Sequence, residues 1–262
     1  MEVDRHSYHP GARAVTVAVA AGADMLLNFP LWIAAKRISA SLPPLPEKKM
    51  HVYNGATALF AAYGPMTVVE DATVNAVKRI DAPPPVAAAI GGVAGALLVG
   101  AQTEALVTRA HALNDSVPAA MRDAYARGGL RGLVIPPGLA MVLAREVPYA
   151  TCLFWLSGRV RRKFANPRAV HDPPWRSSRL TRDYFAALCT AIVAGPVSHV
   201  PACIGAHQQA HATDISTSLV QLRSPGGAGL WAGLLPRTLS LSGSLFIVPF
   251  SVEIVQNYIL KN

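Results

Sequence analysis

Charge is scarce in this chain: Asp, Glu, Lys and Arg make up 15% of its 262 residues, well under the roughly 25% of a soluble domain. Cysteine is scarcer still. Cys152, Cys189 and Cys203 all lie in apolar stretches, and three thiols cannot all pair, so a disulfide framework is excluded and small buried apolar residues are expected. No nucleophile–base–orienter set and no phosphate-binding glycine loop occurs, so an enzyme is not expected. The eight histidines lack metal-ligand spacing; His207 and His211 stand four apart with no carboxylate nearby, so no metal and no cofactor is expected. A secretory leader is not expected either. Residues 1–12 are short and polar, and they lack the Arg- and Ser-rich amphipathic character of a matrix presequence, which would leave any import signal internal.

What remains is apolar. Hydrophobic residues make up 52%, yet the mean hydropathy is only +0.30. That modest value predicts helices with one lipid-facing side and one small or polar side, arranged around a cavity. The net charge of +9 is spread out rather than gathered into a tract. Lys36-Arg37, Lys78-Arg79 and Arg159 to Lys163 sit at the ends of apolar stretches, which suits a membrane interface and argues against nucleic acid.

Six stretches are long enough to span a bilayer, which takes about 20 mostly apolar residues. They run from Ala14 to Ala35, Ala56 to Val77, Val86 to Val107, Leu139 to Leu156, Tyr184 to Ala206 and Leu234 to Ile259. Each holds a proline, a polar residue or a close set of glycines. Asp24, Asn28, Glu70, Asp71, Arg145 and Glu146 lie within spans and must face a cavity or a partner. Gly91, Gly92, Gly95, Ala191, Ala194 and Gly195 allow close helix packing. Between spans, Asn114 to Gly129 and Thr213 to Leu222 read as amphipathic surface helices, the first capped at Asp115-Ser116. Ile38 to Val52, with Pro43, Pro44 and Pro46, leaves no room for a third.

One marker recurs. Pro65 lies ten residues past Gly55 of Tyr53-Asn54-Gly55, Pro148 ten past Gly138, and Gly243 ten past Gly233 of Trp231-Ala232-Gly233. Thirteen residues further on stand Lys78, Arg161 and Gln256. A fixed recurrence of this kind marks one supersecondary unit used repeatedly, with repeats at 1–81, 82–178 and 179–262.

Gly129-Leu130-Arg131-Gly132-Leu133 leading to Arg145-Glu146-Val147-Pro148-Tyr149 resembles the second repeat of the mitochondrial carrier family. Gly229 to Arg237 resembles the start of that family's last helix, and Phe29-Pro30-Leu31-Trp32 to Lys36-Arg37 the end of its first. The resemblance implies an all-α membrane protein of six transmembrane helices in three pseudo-threefold repeats, with short matrix-side surface helices, multi-pass in the inner mitochondrial membrane. It implies two rings of salt bridges that close the solute cavity alternately. It also implies solute contacts at Ala62, Tyr63, Arg145, Glu146, Ser240 and Leu241, with Arg237 beside them, and cardiolipin phosphates at the helix starts near Tyr53, Gly55, Gly132, Gly138, Trp231 and Gly233.

The chain departs from the family pattern at both rings. On the matrix side the key positions read Pro30, Trp32, Ala35; then Gln102, Glu104, Val107; then Pro201, Cys203, Ala206. Only Glu104 keeps its charge, and Lys36, Arg37 and Arg109 are spaced onto other faces, so no acid–base pair is expected to close there. On the other side Lys78, Arg161 and Glu253 remain, with Arg161 to Glu253 as the expected contact. Arg145-Glu146 either meets the ammonium and carboxylate of a small zwitterionic solute or pairs with neighbouring helices. Two functions follow: a structural, lipid-binding subunit of a respiratory or ATP synthase complex, or an active transporter of an amino-acid-like or S-adenosylmethionine-like solute.

Overall fold

Gly55, Gly138 and Gly233 each take a left-handed backbone, φ 83°, 83° and 79°, and each is the residue on which a long helix begins. That conformation is open to glycine and strained for nearly everything else. The recurring marker is therefore a helix-start device. Our computed structural model describes residues 10–164, 176–224 and 226–255.

Among the described residues eight helices follow in chain order: α1 (Pro10–Ser39), α2 (Ala56–Lys78), α3 (Pro84–Leu113), α4 (Val117–Val134), α5 (139–164), α6 (Ser177–His211), α7 (Ile215–Arg223) and α8 (Leu234–Ile254). No strand occurs among the described residues. By length and composition α3, α6 and α8 are apolar enough to cross a membrane. The other three long helices carry the mid-helix Asp24, Glu70, Asp71, Arg145 and Glu146 and do not join this set. Together this is an all-α protein of membrane character. Gln256, the stretch 165–175, Pro225 and the chain end towards Ile259 lie outside the described residues, as does the Asp71 side chain.

The six long helices pack in a closed circuit: α1 on α2, α2 on α3, α3 on α5, α5 on α6, α6 on α8, and α8 back on α1. Many outward residues are large and apolar, among them Leu27 (72% exposed), Leu98 (64%) and Leu235 (71%). Inside, small residues bring backbones together. A Cβ on Gly92 would fall 2.3 Å from the Ala150 methyl of α5, and one on Gly95 would fall 2.4 Å from Glu70 Cγ of α2. Two π turns interrupt the ladders. The Ala101 N–H reaches Ala96 O, five residues back, and the Ser157 N–H reaches Cys152 O. Such turns insert a residue into a helix and re-aim its side chains.

The surface helices appear, with altered ends. α4 runs past Gly129 to Val134 and is kinked at Gly128 and Gly129. The Ser116 side chain makes no capping bond; instead the Asp115 carboxylate accepts from the Ser116 N–H at 2.6 Å. α4 is held to α3 by Arg109, which donates to Asp123 at 2.7 Å. α7 starts on Asp214, whose carboxylate accepts from the Thr217 N–H at 2.7 Å. In the first unit only a 3₁₀ turn forms, Lys49–Tyr53, and the loop before it is pinned by Arg37, which donates to Pro43 O and His111 O, both at 2.7 Å.

The Thr217 N–H, followed by the Ser216 and Thr217 hydroxyls, holds the Asp214 carboxyl below the ordinary aspartate range. A group lowered on folding stabilises above its unfolded value and loses that contribution as pH falls through the folded one. The α7 cap is thus expected to be intact at neutral pH and to open only on the acid side of the ordinary range. The protection factor of the Thr217 amide, its exchange relative to the unstructured rate at the same pH, checks this: it falls on acidification in the native chain and is already low at neutral pH in Asp214→Ala.

Candidate functional site

The C-terminal ends of α1, α3 and α6 converge, and four ionisable side chains meet beside that junction. Lys36 of α1 pairs with Glu104 of α3 and also donates to Gln209 Oε1 of α6 at 3.1 Å. Both Glu104 oxygens accept from Arg145 Nη1 of α5, each at 2.8 Å. Arg145 Nε donates to Glu146 Oε1 at 2.9 Å, and a second guanidinium nitrogen bonds the same oxygen. Lys36 is 6% exposed, Glu104 7%, Arg145 8% and Glu146 2%. The Lys36 ammonium also lies 5.3 Å from the centre of the Trp32 ring, four residues back on α1.

This cluster corrects the expectation that no acid–base pair closes at that end. The spacing argument followed the Cβ direction of Lys36 along one helix. The lysine stem is long enough to swing from its own face once the ends of α1 and α3 draw together. Gln209, which supplies the α6 arm, has no charge to advertise it in the sequence.

The other end is different. Glu253 does not pair with Arg161. It accepts from Arg179 Nη2 at 2.6 Å on each oxygen, a bond from the start of α6 to the end of α8. Arg161 donates to Leu245 O at 2.7 Å, and Lys78 is exposed. Arg179 faces Glu253 only because α6 begins at Ser177, seven residues before the apolar stretch that marks it.

The remaining solute-contact candidates all face inward. Ala62, Ser240 and Leu241 are buried and Tyr63 is partly so. Leu241 belongs to an apolar cluster with Cys152, Ala187, Ala191, Ala194 and Leu245. Arg237 donates to Ser198 Oγ at 3.0 Å, and its buried Nε has no hydrogen-bond partner; the same holds for Glu146 Oε2. Among the described residues Asp24 has no base beside it. Its carboxylate accepts from the Ser244 hydroxyl at 2.9 Å and from Asn28 Nδ2 at 3.2 Å, and Asn28 also donates to Ser240 O at 2.7 Å. These bonds tie α1 to α8.

Of the lipid candidates, Tyr53 is 49% exposed and donates to Leu26 O at 3.2 Å. Beside it an open pocket of about 450 Å³ is lined by Asn54, Gly55, Thr57, Ala58, Ser116, Val117 and Pro118. Residues at the N-termini of α2 and α4 both line this pocket, where first-turn N–H groups and helix dipoles favour an anion, although the Ser116 N–H is already taken by the Asp115 carboxylate. Trp231 is 58% exposed and stacks on His199, ring centres 5.9 Å apart. Gly138 and Gly233 hold their helix starts against backbone, 2.8 Å from Gly205 O and Ala35 O respectively, measured from an added Cβ. Gly132 lies in the first turn after the α4 kink, where a Cβ would meet Ala124 O at 2.3 Å.

No protein-family model matches the chain, and no curated protein matches it.

Proposed function

We propose that this chain is a carrier-type, multi-pass protein of the inner mitochondrial membrane whose helix bundle is tied shut, and that it serves as a structural, lipid-holding subunit of a larger respiratory or ATP synthase assembly. In this reading all six long helices cross the bilayer as three repeats. The circuit of helix packing and the three left-handed glycine starts support that arrangement. The observation that carries the functional part is the commitment of Arg145. Its guanidinium is spent on Glu104 and Glu146 with its side chain 10% exposed, so it acts as a tie between α3 and α5 and has little left for a solute. A gate must also alternate, and at the far end the acid–base bond from α6 to α8 among the described residues, Arg179–Glu253, lies within one repeat. The pocket at Gly55 and Ser116 suits a lipid phosphate, with cardiolipin as the expected ligand.

A second reading, a transporter of a small amino-acid-like or S-adenosylmethionine-like solute, is favoured by one pair of atoms. Arg237 Nε and Glu146 Oε2 are buried without partners, a free donor and a free acceptor. Gentle solubilisation of native mitochondria followed by a native gel separates the two. Migration with a respiratory- or ATP-synthase-sized complex is the expected result. Migration as a free monomer, together with Arg145-dependent uptake of a zwitterion into liposomes, overturns the structural reading.

A further inference from the structure

α6 closes on a pair of histidines. His207 and His211 stand four apart, so their side chains leave the same face of the helix. Their ring centres are 4.5 Å apart and the ring planes are inclined by 42°. A neighbouring element anchors each ring. His207 Nδ1 lies 3.2 Å from Ser218 Oγ of α7, and His211 Nε2 lies 2.8 Å from Ala40 O, just past the end of α1. A carbonyl only accepts, so His211 Nε2 carries the proton and the neutral ring keeps its lone pair on Nδ1. The Ser218 hydroxyl can donate to Thr213 Oγ1, 2.7 Å away, and accept from His207 Nδ1, which leaves the His207 lone pair on Nε2. Neither of these two basic nitrogens makes a hydrogen bond among the described residues. His207 is 3% exposed, whereas His211 is exposed and opens the pair to solvent.

A metal–imidazole bond is about 2.0–2.1 Å long, so two rings on one ion must stand close and inclined to each other. Metal-binding histidines also donate their other ring N–H to a fixed acceptor, which sets the tautomer and holds the ring. Both conditions are met at this pair. In the residue order the two histidines lack a third ligand, and no group of three or more His, Cys, Asp or Glu gathers among the described residues. What the fold adds is two anchors, from α1 and α7, which spacing along α6 does not announce. We infer that His207 Nε2 and His211 Nδ1 form a bidentate site for a divalent transition-metal ion that favours nitrogen, with Cu2+ held most tightly and water in the remaining positions. Two neutral nitrogens without a carboxylate disfavour Mg2+ and Ca2+, which take oxygen ligands. The site lies at the end of α6, outside the ion-pair cluster, and exists whether or not the bundle cycles.

The test uses the full, untagged chain in mild detergent, stripped with a chelator and titrated with Cu2+ at neutral pH. Electron paramagnetic resonance of the bound ion is expected to show coupling to two nitrogens, and the melting temperature is expected to rise with Cu2+ concentration, as it does for any ligand that binds the folded state. His207→Ala and His211→Ala are each expected to abolish both signals. Ser218→Ala leaves the ligands in place but frees the His207 ring, and is expected to weaken Cu2+ binding by about tenfold, the lower end of what losing such an anchor costs. His51→Gln, at a histidine outside the pair, is expected to bind as the native chain does. Failure of the native chain to bind Cu2+, coupling to fewer than two nitrogens, or binding that survives both alanine variants overturns the proposal. If those variants fail to fold, the native chain still decides. Carbethoxylation mapped by peptide mass spectrometry is expected to be blocked by Cu2+ at His207 and His211 and not at His51, and unchanged labelling of the pair overturns the site.

Discussion

Glu104→Gln is expected to lower the stability of the detergent-solubilised protein by about 3–5 kcal/mol, the cost of stranding buried charges without their partner. Glu104 is the one acid that both Lys36 and Arg145 reach, from α1 and α5. Without its charge, Lys36 keeps only Gln209 Oε1 and the Trp32 ring. Arg145 keeps only Glu146. Replacing the ions by apolar groups behaves differently. Lys36→Met combined with Glu104→Leu removes one buried charge of each sign, leaves Arg145 on Glu146, and is expected to recover most of the loss, since a buried pair contributes little net over well-packed apolar side chains. Thermal melting of the single and double variants checks both arms. A single variant that melts like the native protein would mean that the cluster does not tie α1, α3 and α5 together.

Gly92→Leu is expected to cost about 3 kcal/mol, the upper end of what overpacking a helix contact costs, or to prevent accumulation of the protein altogether. The obstruction is the Ala150 methyl, 2.3 Å from the new Cβ, and a methyl fixed to backbone cannot rotate aside. α3 and α5 must separate, which also pulls Arg145 from Glu104. Gly95→Leu meets Glu70 Cγ at 2.4 Å. That side chain can partly yield, so the effect is expected to be smaller, though still disruptive. Gly158 is the internal control: it is helical with nothing within 4 Å of an added Cβ, and Gly158→Ala is expected to be neutral or slightly stabilising, by roughly 0.5–1 kcal/mol. Normal expression and extraction of the Gly92 variant would show that these two helices do not pack as described.

Much of the architecture is local in origin and was therefore legible in the residue order. The prolines and glycines mark the helix starts, and Gly55, Gly138 and Gly233 recur because a left-handed start demands glycine wherever it is used. Apolar length sets the helices, since each satisfies its own backbone and needs no knowledge of its neighbours. The small residues at 91, 92 and 95 announce a close contact, although not which helix makes it. The proline-rich loop of the first unit excludes a surface helix by its own chemistry.

Charge partners belong to the other category. Lys36 was legible as a base near the end of α1, but its acid is 68 residues away, and only the convergence of α1, α3 and α6 sets the distance between them. Glu253 was legible as an acid near the end of α8, yet its partner is Arg179 rather than Arg161, because α6 begins a turn or more before its apolar stretch. The Glu70 side chain of α2 and the Glu146 backbone of α5 meet the glycine face of α3 from separate helices, a junction that exists in no single segment. By itself the sequence determined which segments are helical, which of them open on a glycine and which side chains could not face lipid, since those follow from backbone and solvation at each position. Which of the buried charges are paired, and with what, was decided only by tertiary packing, because an ion pair is a matter of a few ångströms and sequence spacing on separate helices does not set that distance.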